Sequence, residues 1–149
     1  MPDTDLIKLY SGRILELAAD IPLAERLSAP QASVKKRSPL CGSTVTVDVS
    51  VENGRIVAFG QDVKACALGQ ASASVLASNV IGRSGAEIEL ARDQLFAMLK
   101  QNGPVPTPPF GDFEVLLPAR EFKNRHASIM LALEATAEAV AQAQQADCA

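Results

Sequence analysis

The stretch Thr44-Val45-Thr46-Val47-Asp48-Val49-Ser50-Val51, followed by Glu52-Asn53-Gly54, decides the fold. Valines alternate with polar residues, and a period of two marks a strand with one buried face. Val45, Val47, Val49 and Val51 belong to that face, and Thr44, Thr46, Asp48 and Ser50 to the other. Asn-Gly is the strongest short hairpin signal. Arg55 to Gly60, continuing towards Lys64, is therefore the return strand. Strands joined by a tight hairpin pair antiparallel.

Upstream, Ala32 to Lys36 reads as a further short strand, behind a polar connector punctuated by Pro22 and Pro30. A helix is expected from about Thr4 to Asp20, capped by Asp3 or Thr4. Its apolar residues Leu6, Ile7, Tyr10, Ile14, Leu17 and Ala18 recur at helical spacing. Downstream the chain turns helical. Cys66 opens a run to Ile81, with Gly82 as its stop. Ser84-Gly85-Ala86-Glu87 is a capping box for a helix to about Asn102, ended by Gly103. Pro104 to Pro109 holds four prolines and reads as a rigid loop, followed by a short helical turn over Asp112 to Leu117. A last helix is expected from about His126 to Gln145, with Ile129, Leu133, Ala137, Val140 and Ala141 as its inner stripe. Strands first and helices later predict an α+β fold: a small three-stranded antiparallel sheet with helices packed on it.

The chain has 149 residues, 48% hydrophobic and 21% charged, which is the composition of one globular domain spanning 1–149, with a tail fraying from about residue 143. It has no Trp and one Tyr, so the core is aliphatic and alanine-rich. A net charge of −3 argues against nucleic acid as a partner. The longest uncharged run, Ala65 to Gly82, carries Gln70, Ser72, Ser74, Ser78 and Asn79, and reads as a buried helix rather than a membrane span. The N-terminus lacks a basic-then-apolar leader, and three widely spaced cysteines do not form a secreted disulfide framework. Reduced thiols in the cytoplasm are the expectation.

Two of those cysteines occupy special places. Cys41 lies in the loop Pro39-Leu40-Cys41-Gly42-Ser43 leading into the central strand. Cys66 lies where strand gives way to helix, and exposed N–H groups at a helix N-terminus favour the thiolate. The hairpin between them returns the chain to where it began, so both thiols are expected at one end of the sheet. Taken alone, each reads first as a small buried hydrophobe. A reversible disulfide between them is a further option. Cys148 falls in the tail, and the basic clusters Lys35-Lys36-Arg37 and Arg120, Lys123 and Arg125 read as solvated surface. The serines after Cys66 have no paired His and Asp, so a hydrolase triad has no support.

The words around the cysteines carry a resemblance. Pro39-Leu40-Cys41-Gly42 precedes a strand. Asp62-Val63-Lys64-Ala65-Cys66 is followed by Ala67-Leu68-Gly69-Gln70-Ala71-Ser72-Ala73-Ser74. Arg125-His126-Ala127-Ser128-Ile129-Met130 opens the last helix. Together these resemble the U-type iron–sulfur cluster scaffolds (IscU, SufU and the NifU N-terminal domain) from about Leu6 to Val140. The long segment between Cys66 and Ser128 is similar to the Suf-type branch. The resemblance implies a non-enzymatic scaffold that takes sulfur from a cysteine desulfurase, serves other assembly or acceptor proteins, and binds iron, zinc or a labile 2Fe–2S cluster. It implies three cysteines and one aspartate as ligands. The first two cysteines fall on Cys41 and Cys66. The aspartate position falls on Ser43 and the third cysteine position on Ser128. A serine hydroxyl resists deprotonation and is a poor ligand, whereas clusters and structural zinc prefer four good ones. His126, the chain's single histidine, offers itself as a substitute ligand beside Ser128. With ligands missing, the alternative is a degenerate scaffold acting as a metal-free binding or regulatory module of the same machinery.

Overall fold

The computed structural model describes residues 11–39 and 42–148, and the side chains of all of these except 146–148. The alternating stretch forms strand β2, Thr44–Glu52. It pairs antiparallel with β1, Ala32–Arg37, and with β3, Arg55–Lys64, giving the order β1-β2-β3. At the hairpin Asn53 and Gly54 have φ of 54° and 76°. Two consecutive positive φ values define the turn whose twist matches that of the flanking strands. The register sets Val45 opposite Val63, Val47 opposite Val34 and Gln61, and Val49 opposite Ala32 and Phe59. Directly opposed residues share a face, so these side chains form one layer, apolar except for Gln61, whose Nε2 donates to the Ala73 carbonyl. The four β2 valines are all buried.

That layer is covered by the last helix. The helices are α1 (Gly12–Ala19), α2 (Ala67–Asn79), α3 (Gly85–Lys100) and α4 (Lys123–Cys148), with a 3-10 helix over Gly111–Glu121. Helix α4 lies across β1 and β2, and α2 and α3 flank it. Its buried residues Ile129, Leu133, Ala137 and Val140 face this core, as the apolar spacing predicts. The small side chains of Ala71, Ser72, Ala73 and Ser74 let α2 pack with hardly any surface left in solvent. The capping box at the start of α3 closes in both directions, Ser84 Oγ accepting from Glu87 N and Glu87 Oε1 accepting from Ser84 N. No helix among the described residues is long and apolar enough to cross a membrane.

Several boundaries differ from expectation, each for a local reason. Helix α1 begins after Ser11, whose Oγ accepts from Ile14 N. The expected cap and first turn, with Leu6, Ile7 and Tyr10, lie outside the described residues. Helix α2 ends at Asn79, where the chain turns so that Gly82 N donates to the Ile56 carbonyl of β3. The short turn expected over Asp112 to Leu117 extends to Glu121. Helix α4 starts at Lys123 rather than His126 and runs to Cys148, with Ala143 fully buried. Ala141 is exposed and stands outside the inner stripe.

Asp48 corrects the two-face reading of β2. It points away from the valine layer, yet it is completely buried. The connector before β1 folds over it. Arg26 donates from Nε to Oδ2 at 2.6 Å and from Nη2 to Oδ1 at 3.1 Å, Leu27 N donates to Oδ2 at 3.0 Å, and Ser33 Oγ donates to Oδ1 at 2.6 Å. Burial alone would raise the Asp48 pKa; the hydrogen bonds from Arg26, Ser33 and Leu27 outweigh it and hold the carboxyl below its usual range. Gly60, opposite Asp48 on β3, has no side chain to block the connector. A Cβ there would collide with the Glu25 carbonyl oxygen.

Candidate functional site

The end of the sheet away from the hairpin carries the site. Thr44 pairs with Lys64 there, so the residues just outside that pair, Ser43 before β2 and Cys66 after β3, emerge side by side. Ser43 is buried and its loop is closed by the backbone: Ser38 N donates to the Ser43 carbonyl at 2.8 Å and Gly42 N to the Ser38 carbonyl at 2.9 Å. Cys41 lies in this loop, outside the described residues. Cys66 is the N-cap of α2, with extended backbone (φ −67°, ψ 170°) and a partly exposed free thiol.

Helix α4 delivers the third group. Ser128 is buried and donates from Oγ to Ser43 Oγ at 3.0 Å, and its oxygen lies 3.6 Å from Cys66 Sγ. A chain of thiol, hydroxyl and hydroxyl thus joins residues 66, 128 and 43. With the Ser128 proton given to Ser43, the Cys66 contact is completed by the thiol S–H donating to Ser128 Oγ. Turning that hydroxyl round would instead offer its proton to a Cys66 thiolate. The arrangement serves either state of the sulfur through one rotatable bond.

Two residues of the run after Cys66, to which the sequence assigned no role, hold α2 against α4 at this point. Ser72 Oγ donates to the Ile129 carbonyl at 2.7 Å. Gly69 sits directly under Ser128: a Cβ there would lie 2.7 Å from Ser128 Oγ and 2.8 Å from the Ala65 Cβ. Only hydrogen fits, so Gly69 sets the distance between the helices. The small-residue run after Cys66 was the signal that could have revealed it.

His126 does not join the cluster. Its ring is buried, with Nε2 2.8 Å from the Ala119 carbonyl and Nδ1 3.2 Å from Lys100 Nζ. A carbonyl only accepts, so Nε2 carries the proton and Nδ1 accepts from the ammonium. Burial pushes the His126 pKa below its ordinary value, the Ala119 carbonyl opposes that, and Lys100 adds to it. The physical reason for its placement is helical. Residues 126 and 128 both lie in α4, and a two-residue step turns by about 200°. Neighbours in sequence therefore face opposite ways, Ser128 to the sheet end and His126 to the 3-10 helix.

Chemically, the assembled donors are one thiol and two hydroxyls, with Cys41 two residues from Ser43 in sequence. Among the described residues no three His, Cys, Asp or Glu side chains are grouped to hold a metal ion. As a resident zinc site the set falls short, because hydroxyls do not replace thiolates or a carboxylate.

The chain superposes on the N-terminal part of a nitrogen-fixing NifU-like protein from Brucella abortus with a TM-score of 0.92 and 43% identity, over 95% of this chain and 98% of that one. It also superposes on a candidate iron–sulfur cluster assembly scaffold of the SUF system from the thermophile Fervidobacterium islandicum AW-1. That match has a TM-score of 0.79 and 17% identity, over 89% of this chain and 96% of that one, and speaks for the fold alone. No curated protein sequence matches the chain. The family model for the NifU-like N terminal domain matches residues 10–146. The chain therefore belongs to the NifU-like N-terminal domain family.

Proposed function

We propose that this protein is an iron–sulfur cluster assembly scaffold that accepts sulfur from a cysteine desulfurase at Cys41 or Cys66 and carries iron or a labile 2Fe–2S cluster as cargo. The observation that supports this reading most is the convergence of Ser43, Cys66 and Ser128 at the sheet end, at 3.0 and 3.6 Å. These are positions where the U-type resemblance expects ligands. In sulfur transfer, a Cys66 thiolate attacks the outer sulfur of the donor's persulfide. The donor S–S bond breaks, the donor cysteine leaves as a thiolate, and Cys66 keeps the persulfide. Ser128 Oγ stands within reach to donate to the sulfur that carries the charge.

With Cys41 and Cys66 as the only thiolates offered, cargo is held by fewer strong ligands than a stable cluster wants. Ready release is the expected consequence. Anaerobic reconstitution with iron and sulfide, followed by visible absorption, tests this. The wild type develops charge-transfer bands that a Cys41→Ala/Cys66→Ala double variant lacks; identical spectra would reject cargo binding.

A second reading has its own observation. Ser43 Oγ spends one lone pair accepting the Ser128 proton instead of offering it to a metal, and both hydroxyls stay protonated. This favours a metal-free module that occupies the desulfurase or another assembly protein. Pull-down of a desulfurase that survives loss of both thiols supports that reading, and thiol-dependent binding supports the first.

A further inference from the structure

On the opposite side of α4 from Ser128, a cleft of about 480 Å3 opens between the end of α3, the 3-10 helix and the first turn of α4. Lys100, Asn102, Arg120, Glu121, Lys123 and His126 line it. A second hollow of about 260 Å3 continues past Lys100, Lys123 and His126 and ends on Glu134, a second carboxylate outside the larger cleft. In the larger cleft three cationic side chains stand against a single carboxylate, in a protein whose net charge is −3.

Two of those cations are held in place from inside. Arg120 donates from Nε to the Met98 carbonyl at 2.8 Å and from Nη2 to the Gly103 carbonyl at 2.9 Å. The Met98 carbonyl belongs to the last turn of α3, whose partial negative charge would otherwise repel an anion. Lys100 Nζ is fixed by the buried His126 ring at 3.2 Å, a bond that uses one ammonium proton and leaves two. Lys123 has no ion-pair partner among the described residues. A lysine anchored on a buried, uncharged histidine and an arginine clamped on two carbonyls have already lost much of their rotamer freedom. Binding then costs less entropy than at mobile surface lysines.

We propose that this cleft is a binding site for a phosphate-type oxyanion, free or as the monoester of a small molecule, held by Lys100, Lys123 and Arg120. The site is separate from the sheet-end cluster and does not rest on the scaffold reading. Phosphate chemistry matches the donors: several N–H groups of fixed direction around a compact multiple charge.

The chain's single histidine makes a reporter. Its ring NMR signals are followed at about pH 8, where the imidazole is neutral, while inorganic phosphate is added at constant ionic strength. A saturable shift is expected with phosphate and none with chloride. Glycerol 3-phosphate run in parallel separates the sources: tighter binding assigns the site to phosphomonoesters, tighter inorganic phosphate to the free ion. Lys123→Gln is expected to weaken binding by about tenfold, Lys100→Gln by as much, and Lys36→Gln, which lines neither hollow, not at all. Lys123 touches no partner that folding needs, so that variant stays folded. A response equal to chloride's, or an affinity that Lys36→Gln lowers as much as Lys123→Gln, overturns the proposal.

Discussion

Two buried polar clusters sit on this sheet, and they are built in opposite ways. At Asp48 a full negative charge is saturated by Arg26, Leu27 and Ser33, and the connector is clamped to the outer face. At the sheet end Ser43, Cys66 and Ser128 meet with no formal charge, a thiol contact of 3.6 Å and hydroxyls that can turn. Each cluster lies beside a glycine that permits the approach, Gly60 in one case and Gly69 in the other. The difference separates holding from handling. A closed set of charged bonds fixes one arrangement of the backbone, whereas uncharged groups with rotatable protons can accommodate a change at the sulfur.

Removing the closed cluster gives the largest expected effect. Asp48→Ala leaves the Leu27 N–H and the Ser33 hydroxyl without their acceptor and is expected to cost about 3 kcal/mol, read by urea unfolding. The same cluster sets an acid limit. Its folded pKa is depressed, so its contribution is complete above the unfolded carboxyl value and is lost as pH falls through the folded one. Wild-type stability is therefore expected to fall as pH drops below about 4, and Asp48→Asn to flatten that fall.

The two glycines sharpen the comparison. Gly60→Ala meets a backbone carbonyl that cannot move without lifting the connector, so a loss of about 2–3 kcal/mol is expected. Gly69→Ala meets first the Ser128 hydroxyl, which can rotate, and then the Ala65 methyl; about 1–2 kcal/mol is expected. Its distinctive consequence is at the site, where Ser128 is pushed off Cys66. The rate of Cys66 alkylation is expected to change in Gly69→Ala and to stay at the wild-type value in Gly60→Ala. The smallest effect belongs to Ser128→Ala, which removes a neutral hydrogen bond to Ser43 and the weak thiol contact to Cys66 and costs about 1 kcal/mol.

The same contrast explains what the sequence made legible. The hairpin, the three strands and the capping box depend on local chemistry, and all stand where the pattern predicts. Asp48 obeys the alternation of β2 and still ends up buried, because a segment more than twenty residues away covers it. Alternation reports which side a residue faces and not what lies above that side. The meeting of positions 43 and 66 was legible, since a hairpin brings its two ends together. The placement of His126 followed from helical geometry that sequence proximity to Ser128 concealed. Residues 126 and 128 both fall within that helix, and a two-residue step turns by about 200°, so they face opposite ways wherever the helix begins. Gly69 was hidden in a run of small residues, where one absent methyl group looks like any other.

If residues 43, 66 and 128 form one site, its weakness as a metal centre comes from its two serines. Anaerobic zinc titration against a competing chelator, comparing the wild type with Ser43→Asp/Ser128→Cys, tests it most directly. If the positions converge, the variant adds a carboxylate and a thiolate to Cys66, and zinc binds at least about 100-fold tighter. Equal affinity for the two proteins would contradict the claim that these three positions form a single site.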